Sequence, residues 1–209
     1  MEDVLEVYAR PYDPQRPQVC LDEAAKQLLS EVRAPLPIKP GQQERVDNEY
    51  VRQGTCALFM LFEPLAGKRG VLVRERRTSV DYAQVVQHLC DVLYPEAEKI
   101  VLVQDNLNTH GAHSLYEAFP PQEARCLAQK IEWHYTPRHG SWLNMAEIEL
   151  SVLATQCLAE RMGSRECVET QVAAWEAARN TASVKVDWRF TTEQARNRLK
   201  RLYPLRLPS

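Results

Sequence analysis

Residues 99–110 have the sequence KIVLVQDNLNTH, in which four consecutive apolar residues precede a carboxylate. An apolar run of this length between polar residues is typical of a strand that is buried on both faces, so residues 99–104 are predicted to form an interior strand. Asp105 follows this run directly. The stretch therefore predicts a carboxylate at the end of a buried strand.

Upstream of this strand, turn residues separate several short apolar runs. Three prolines between positions 10 and 18 indicate an extended lead-in over residues 1–17. The first predicted strand ends at Asp22 and Glu23, a proline-rich loop is expected over residues 35–41, and Gln53-Gly54 predicts a hairpin. The strands predicted for this antiparallel meander cover residues 18–21, 26–32, 49–52, 55–62 and 71–77.

After residue 77 the apolar residues recur with a helical period, interrupted by the buried strand and by one further predicted strand over residues 131–135. Strands first, and then helices alternating with strands, indicate an α/β protein. The predicted fold class is a ribonuclease H-like mixed sheet flanked by helices, with extra C-terminal helices. The predicted helices cover residues 80–93, 114–119, 122–130, 143–160, 165–181 and 192–202.

The overall composition excludes several classes of protein. With 44% hydrophobic and 26% charged residues among 209, the chain is expected to be globular, and no apolar run approaches the roughly 18–20 residues of a membrane span. The acidic start, Met1-Glu2-Asp3, lacks the pattern of a signal peptide and favours a cytoplasmic protein. The six cysteines are dispersed without a C-x-x-C pair, and the net charge of −2 gives no global sign of a nucleic-acid-binding protein.

Carboxylates from two strands and a helix can converge at one edge of a sheet, where hard oxygen ligands suit Mg²⁺ or Mn²⁺. Asp22 and Asp105 are the strand candidates, and the helix over residues 143–160 is expected to supply the third. On a helical projection Glu147 falls inside the apolar stripe, whereas Glu149 falls about 40° outside it, so Glu147 is the predicted ligand. Taken singly, each acid is explained as well or better as a turn, cap or solvated residue.

Two local blocks then carry a family resemblance. They are Asp105-Asn106-Leu107-Asn108-Thr109-His110, and Tyr135-Thr136-Pro137 followed by Leu143-Asn144-Met145-Ala146-Glu147. Together with Asp22-Glu23 they resemble bacterial insertion-sequence transposases related to mariner elements, over about residues 18–204. The resemblance implies a DDE superfamily endonuclease with Asp22, Asp105 and Glu147 as catalytic triad and metal ligands.

The same resemblance implies the chemistry and the partners. Two Mg²⁺ or Mn²⁺ ions would support cleavage of double-stranded DNA at transposon ends, and the freed 3′-hydroxyl would then attack target DNA. It also implies a homodimer and a bacterial cytoplasmic protein associated with the nucleoid. The domains expected are the lead-in over residues 1–17, the catalytic domain over residues 18–163 and a C-terminal helical extension over residues 164–209.

The chain departs from the family pattern in two respects. Asp105 and Glu147 are 42 positions apart, a longer step than is usual in mariner relatives. Such transposases also carry helix-turn-helix modules ahead of the catalytic domain, whereas about twenty residues precede Asp22. The DNA-recognition portion is therefore expected to be separate or missing.

Further polar residues are candidates for supporting roles. Glu23, Asn106, His110 and Asn144 flank the acids and are predicted to act near the site, although local capping explains the last three as well. Trp175, Trp188 and Phe190 are predicted to pack in the core between the last helices rather than to stack on bases. The candidate DNA contacts, for which a solvated surface is the alternative explanation, are Arg74, Arg76, Arg77, Arg138, His139, Arg196, Lys200 and Arg201.

Two other functions are compatible with the sequence. One is an inactive or truncated transposase remnant that acts only as a nucleic-acid-binding or interaction module. The other is a cellular ribonuclease H-like nuclease, which the two blocks disfavour because they match transposases.

Overall fold

A computed structural model of the chain describes residues 1–33 and 49–203. In this part of the chain one mixed sheet has the strand order β3-β2-β1-β4-β5. Strand β1 is antiparallel to β2 and parallel to β4, while β2 and β3 are antiparallel and β4 and β5 are parallel. The strands are β1 (Gln18–Glu31), β2 (Tyr50–Glu63), β3 (Lys68–Arg74), β4 (Ile100–Gln104) and β5 (Ile131–Tyr135).

Helices cover both faces of this sheet and connect its parallel strands. A π-helical turn (Leu89–Leu93) extends the second helix, and 3₁₀ turns lie at Ser141–Leu143 and Lys200–Leu202. None of the described helices is long and apolar enough to cross a membrane. The helices are α1 (Glu2–Tyr8), α2 (Ser79–His88), α3 (Ala112–Ala118), α4 (Pro121–Lys130), α5 (Met145–Gln156), α6 (Arg165–Thr181) and α7 (Thr192–Arg198).

The sheet separates two hydrophobic cores, because successive side chains of a strand point to opposite faces. Cys20 and Val103 face the core that includes residues of α1, α5, α6 and α7. Leu21 and Leu102 face the core built by α2, α3 and α4. All residues of β4 are buried, as its apolar run predicts. This alternation decides on which face each side chain of the site lies.

The sequence predicts interruptions in the meander that the structure does not have. Strands β1 and β2 are each continuous over 14 residues, so Asp22 lies within β1 rather than at its end. Gln53-Gly54 forms no hairpin: Leu28 pairs with Gly54 and Leu29 pairs with Arg52, which is a bulge that absorbs one residue. Gly54 has φ +107°, a conformation that glycine adopts without strain, and the strand therefore continues. The predicted proline-rich loop over residues 35–41 lies outside the described residues.

The extended lead-in is also wrong over its first residues, where the chain forms α1. This helix buries Val4, Leu5, Val7 and Tyr8, a helical spacing of apolar residues that the proline signal further along obscured. Strand β5 and helix α6 have the predicted bounds, whereas α5 ends at Gln156 rather than at residue 160.

Candidate active site

The register of β1 against β4 brings the two strand acids together. Cys20 pairs with Val103 in this parallel ladder, so continuing it by two residues sets Asp22 opposite Asp105. Because side chains alternate, the carboxylate of Asp22 lies on the same face as Cys20, which is the face covered by α5. Glu23 lies on the opposite face, with Leu21.

The buried side chain of Asn144 fastens the start of α5 to β1. Its Nδ2 donates to the carbonyl oxygen of Leu21 at 2.8 Å, and its Oδ1 accepts from the backbone N–H of Ala146 at 3.1 Å as the helix cap. Glu147 lies in the first turn of this helix, where the helix dipole favours a carboxylate. The hydroxyl of Tyr8 donates to the carbonyl oxygen of Leu143 at 2.6 Å and supports the same turn from α1.

The charge on Asp22 is disfavoured by its surroundings. Burial raises the pKa of this half-buried carboxyl to about 7, and the nearby charges of Glu147, Asp105 and Glu23 act in the same direction. The backbone N–H of Glu23, which donates to Asp22 Oδ1 at 2.8 Å, acts against the shift. The three predicted acids are therefore close enough to interact electrostatically.

The chemistry of these donors fits a divalent cation. Neither Asp22 nor Glu147 forms an ion pair with any described residue, although half-buried carboxylates are costly without a compensating charge. Over residues 1–33 and 49–203, however, no three Asp, Glu, His or Cys side chains stand together as a ready-made metal cluster. Like charges repel, and Asp105 is engaged by a histidine instead.

His110 is buried between two carboxylates. Its Nδ1 hydrogen-bonds Asp105 Oδ1, and its Nε2 lies 3.0 Å from Glu23 Oε2, an ion-pair distance. Burial lowers the pKa of His110, but Asp105 and Glu23 outweigh it and raise this pKa to about 9. The imidazole is therefore protonated at neutral pH and orients Asp105.

Two residues that support His110 were not found from the sequence. The ring of Tyr82 stacks on the imidazole with 4.7 Å between the centroids, and its hydroxyl donates to Gln104 Oε1 at 2.8 Å. Both residues occupy ordinary apolar or strand positions, so no sequence signal distinguishes them. Through these contacts the packed core around α2 fixes the position of His110.

The helical projection assigned the wrong environment to the two acids of α5. Glu149 is the core-facing residue, with 1% of its surface exposed, whereas Glu147 is half-buried. Arg69 Nε donates to Glu149 Oε2 at 2.6 Å, and Arg179 donates to Oε1 at 3.0 Å. Burial raises the pKa of Glu149, but these two guanidinium groups outweigh it and lower the pKa below its usual value. Glu149 is therefore committed to an internal ion-pair network.

The candidate DNA contacts are distributed over three surfaces. Most of them are exposed, but Arg196 donates to both carboxylate oxygens of Glu2, at 2.8 and 2.7 Å, which neutralises its charge. Arg74 pairs with Ala57, which itself pairs with Ala25, three positions beyond Asp22. The exposed candidates are Arg76, Arg77, Arg138, His139, Arg196, Lys200 and Arg201, and Asn106 beside the site is exposed as well.

A mixed sheet with helices on both faces, with Asp22 on β1 and Asp105 directly after the neighbouring parallel strand β4, is the arrangement of a ribonuclease H-like fold. A sequence model of the family described as DDE superfamily endonuclease matches residues 17–169. The chain belongs to this family. No curated protein sequence matches the chain.

Solved structures confirm the predicted fold class. The Mos1 mariner paired-end complex with Mn is similar at a TM-score of 0.55 and 18% identity, over 87% of this chain and 55% of that chain. The Mos1 transposase paired-end complex with the left transposon end gives 0.56 and 18%, over 88% and 56%. The Mos1 strand transfer complex gives 0.51 and 19%, over 87% and 53%. The chain spans just over half the length of the transposase chains that it matches.

Proposed function

We propose that this chain is the catalytic domain of a DNA transposase, which cleaves DNA at transposon ends and transfers the freed strand to target DNA. The observation that carries the proposal is the placement of the three acids: the register of β1 against β4 brings Asp22 toward Asp105, and Asn144 ties the first turn of α5, which carries Glu147, to Leu21 beside Asp22. Membership of the DDE endonuclease family and the likeness to transposase complexes support it.

The metal ligands in this proposal are Asp22, Asp105 and Glu147, and they hold Mg²⁺ or Mn²⁺, as two ions. Similar Mos1 structures were solved with each metal. A bound pair of such ions activates water and stabilises the attacking and leaving oxygens of an in-line displacement at phosphorus.

The remaining residues of the site position these ligands. His110 orients the carboxylate of Asp105 through a charge-assisted hydrogen bond. Asn144 fixes the turn that carries Glu147 against the strand that carries Asp22. The contact of Asn144 is buried and that of His110 is partly buried, which favours a site that is ordered before the substrate binds.

The DNA is proposed to lie across the carboxyl end of β4, where Asp105 stands beside Asp22 of β1. A cavity of about 550 Å³ opens beside Asp105, lined by Asn106, Leu107, Asn108, His110 and Tyr135 among others. Arg138 and His139 are exposed on the loop that leads into α5, and Arg76 and Arg77 are exposed after β3. Cations on both sides of the acids are suited to phosphates of one duplex.

The partners follow from the same proposal. Recognition of the transposon ends is assigned to a separate helix-turn-helix portion. A homodimer would hold the two ends together. Because DNA is the proposed substrate, the chain is assigned to the bacterial cytoplasm, at the nucleoid. The Mos1 relatives are paired-end complexes, which supports the dimer.

The proposal is tested by incubating the purified chain with supercoiled plasmid DNA and Mn²⁺. We expect nicked and linear products, because the carboxylates and the metal suffice for phosphodiester hydrolysis. Asp105→Asn should reduce the rate by at least about 10³-fold, since it removes a proposed metal ligand and one of the two charged partners of His110. Product formation is followed on agarose gels.

Asp91→Asn is the matched control, because this exposed aspartate lies on the π-helical turn after α2 and should cleave at the wild-type rate. Equal products from wild type and Asp105→Asn would refute the assignment of the site. DNA binding without cleavage would support the inactive binding module, and cleavage confined to RNA–DNA hybrids would support a ribonuclease H-like nuclease.

A further inference from the structure

One large aromatic side chain beside the candidate site remains exposed. Trp142 lies in the 3₁₀ turn Ser141–Leu143, two residues before Asn144 and five before Glu147. Its side chain keeps 43% of its surface exposed, whereas the other three tryptophans are buried or half-buried. An exposed indole so close to carboxylates is not explained by core packing.

The indole of Trp142 is held from behind by other aromatic rings. Its ring is nearly parallel to that of Trp188, with an interplanar angle of 19° and 6.4 Å between centroids, and it meets the Phe190 ring edge-on at 5.8 Å. Trp188 is itself fixed, because its Nε1 donates to the carbonyl oxygen of Phe190 at 2.8 Å and its ring contacts Tyr8. Neighbouring aromatic rings therefore hold the Trp142 indole in place, while 43% of its surface stays exposed.

The turn that carries this ring has a fixed shape. The backbone N–H of Gly140 donates to the carbonyl oxygen of Pro137 at 2.8 Å, and a Cβ at position 140 would approach Pro137 Cγ to 2.6 Å, so only glycine fits. His139 adopts φ +61° in the same turn. Because the turn and the ring are preorganised, a ligand that stacks on the indole orders few further groups.

A cationic side chain accompanies the ring. Arg138 precedes it on the same turn and is exposed, as is His139. An aromatic face for a base, next to cations for the phosphates, is the combination by which proteins hold single-stranded nucleic acid. The acids at the start of α5 repel phosphates, so backbone contacts must come from such neighbouring cations.

We infer that Trp142 stacks on an unpaired base of the DNA strand whose phosphodiester enters the carboxylate site. The indole then acts as a positioning residue, because it fixes the strand next to Glu147 without touching the reacting atoms. This inference rests on the proposed function, since it takes DNA as the substrate. Trp175, Trp188 and Phe190 themselves lie in or against the core, as predicted.

The test compares a hairpin duplex carrying a short single-stranded overhang with the same DNA made abasic at the overhang. Affinities are measured by fluorescence anisotropy in Ca²⁺ or in EDTA, so that no strand is cut. Wild type should bind the base-containing overhang roughly ten-fold more tightly than the abasic one, since a stacked base contributes about this much. Trp142→Leu should lose this ratio, whereas Trp142→Phe should keep most of it.

Two further variants separate stacking from other effects. Arg138→Ala should weaken both DNAs equally and reduce the dependence of affinity on salt, because it removes a phosphate contact only. Tyr116→Ala, at an exposed aromatic residue on α3, should change neither affinity. Circular dichroism checks that each variant is folded, and if Trp142→Leu is not, the ratio measured for Trp142→His replaces it.

The outcomes are distinct from those of the cleavage assay. A wild type that cleaves DNA but shows no base dependence overturns the stacking inference and leaves the proposed function intact. The inference is also overturned if Trp142→Leu keeps the ratio but changes the oligomeric state in gel filtration, since the ring would then contact a second copy of the chain. A wild type that neither binds nor cleaves DNA contradicts both proposals.

Discussion

At the scale of single residues, the acids of this protein differ sharply in what surrounds them. Glu149 is compensated by two arginines, and Asp105 shares the charge of His110. Asp22 has neither kind of partner, and its pKa is raised to about 7. A carboxylate left in this state is typical of functional sites rather than of structural ones.

Replacing Asp22 should therefore stabilise the metal-free protein at high pH. Its folded-state pKa is about 7 against a usual value of 3.8, so the unfolding free energy is unaffected below about pH 4 and falls as the pH rises through 7. Asp22→Asn removes this loss and should raise the unfolding free energy at pH 8 by roughly 2–4 kcal/mol. Urea denaturation at pH 5 and pH 8, with EDTA, measures the difference.

The gain should shrink as the pH is lowered toward 4, because the wild-type carboxyl then carries its proton in both states. Asp91→Asn provides the reference for removing an exposed charge and should show no such pH dependence. Parallel stability curves for wild type and Asp22→Asn would contradict the shifted pKa.

At the scale of elements, α5 is attached to the sheet at two points of different chemistry. Asn144 binds the backbone of β1 at the start of the helix. One turn later Glu149 binds Arg69 of β3 and Arg179 of α6. The guanidinium of Arg69 also donates to the carbonyl oxygens of Gly67 and Val184, so the network links four segments of the chain.

Glu149→Gln should destabilise the fold by about 3–5 kcal/mol, because it leaves the fully buried guanidinium of Arg69 without its counter-charge. Thermal unfolding monitored by circular dichroism measures the change. The same substitution two positions earlier, Glu147→Gln, is the matched control and should cost less than about 1 kcal/mol, since that acid is half-buried and has no ion pair. Similar losses in both variants would contradict the assigned roles.

Local sequence patterns predict those elements whose cause is local. Strand β5 and helix α6 have the predicted bounds, and β4 is buried as its apolar run indicates. The continuity of β1 and β2 could not be predicted, because Gly54 acts there as a bulge opposite Leu28, and that pairing is set by the partner strand.

The candidate site was predicted through its motifs rather than through geometry. The two blocks identify Asp105 and Glu147 by their neighbours in sequence, and the assignment of the triad stays a prediction. The projection of α5 misjudged Glu149, since its partners Arg69 and Arg179 lie 80 and 30 positions away along the chain. A stripe of apolar residues cannot reveal an acid whose compensating charges come from other elements.

At the scale of the whole molecule, the charged residues form two groups, one with a structural role and one with a proposed functional role. The net charge of −2 conceals an internal network in which arginines pair with Glu149, and an acidic site in which Asp22 and Glu147 have no ion-pair partner among the described residues. Repulsion between the carboxylates of that site raises the free energy of the folded chain, and a bound cation lowers it.

Divalent metal should accordingly stabilise the folded state. Because a cation that binds only the folded chain adds RT ln(1 + [L]/Kd), the melting temperature should rise by several degrees when Mn²⁺ is added at about 100 times its Kd. Differential scanning fluorimetry with Mn²⁺, and with K⁺ at equal ionic strength, tests this. Asp22→Asn and Asp105→Asn should show little or no shift, whereas Asp91→Asn should respond as wild type does.

The contact between Glu2 and Arg196 gives the molecule one further property. Helices α1 and α7, near opposite ends of the described chain, lie side by side, and Tyr8 meets Trp188 in the same region. The first and last helices of the described chain are thus in contact, on the face of the sheet that carries α5. A change that separates α7 from α1 would therefore also act on the turn before α5, which Tyr8 of α1 supports.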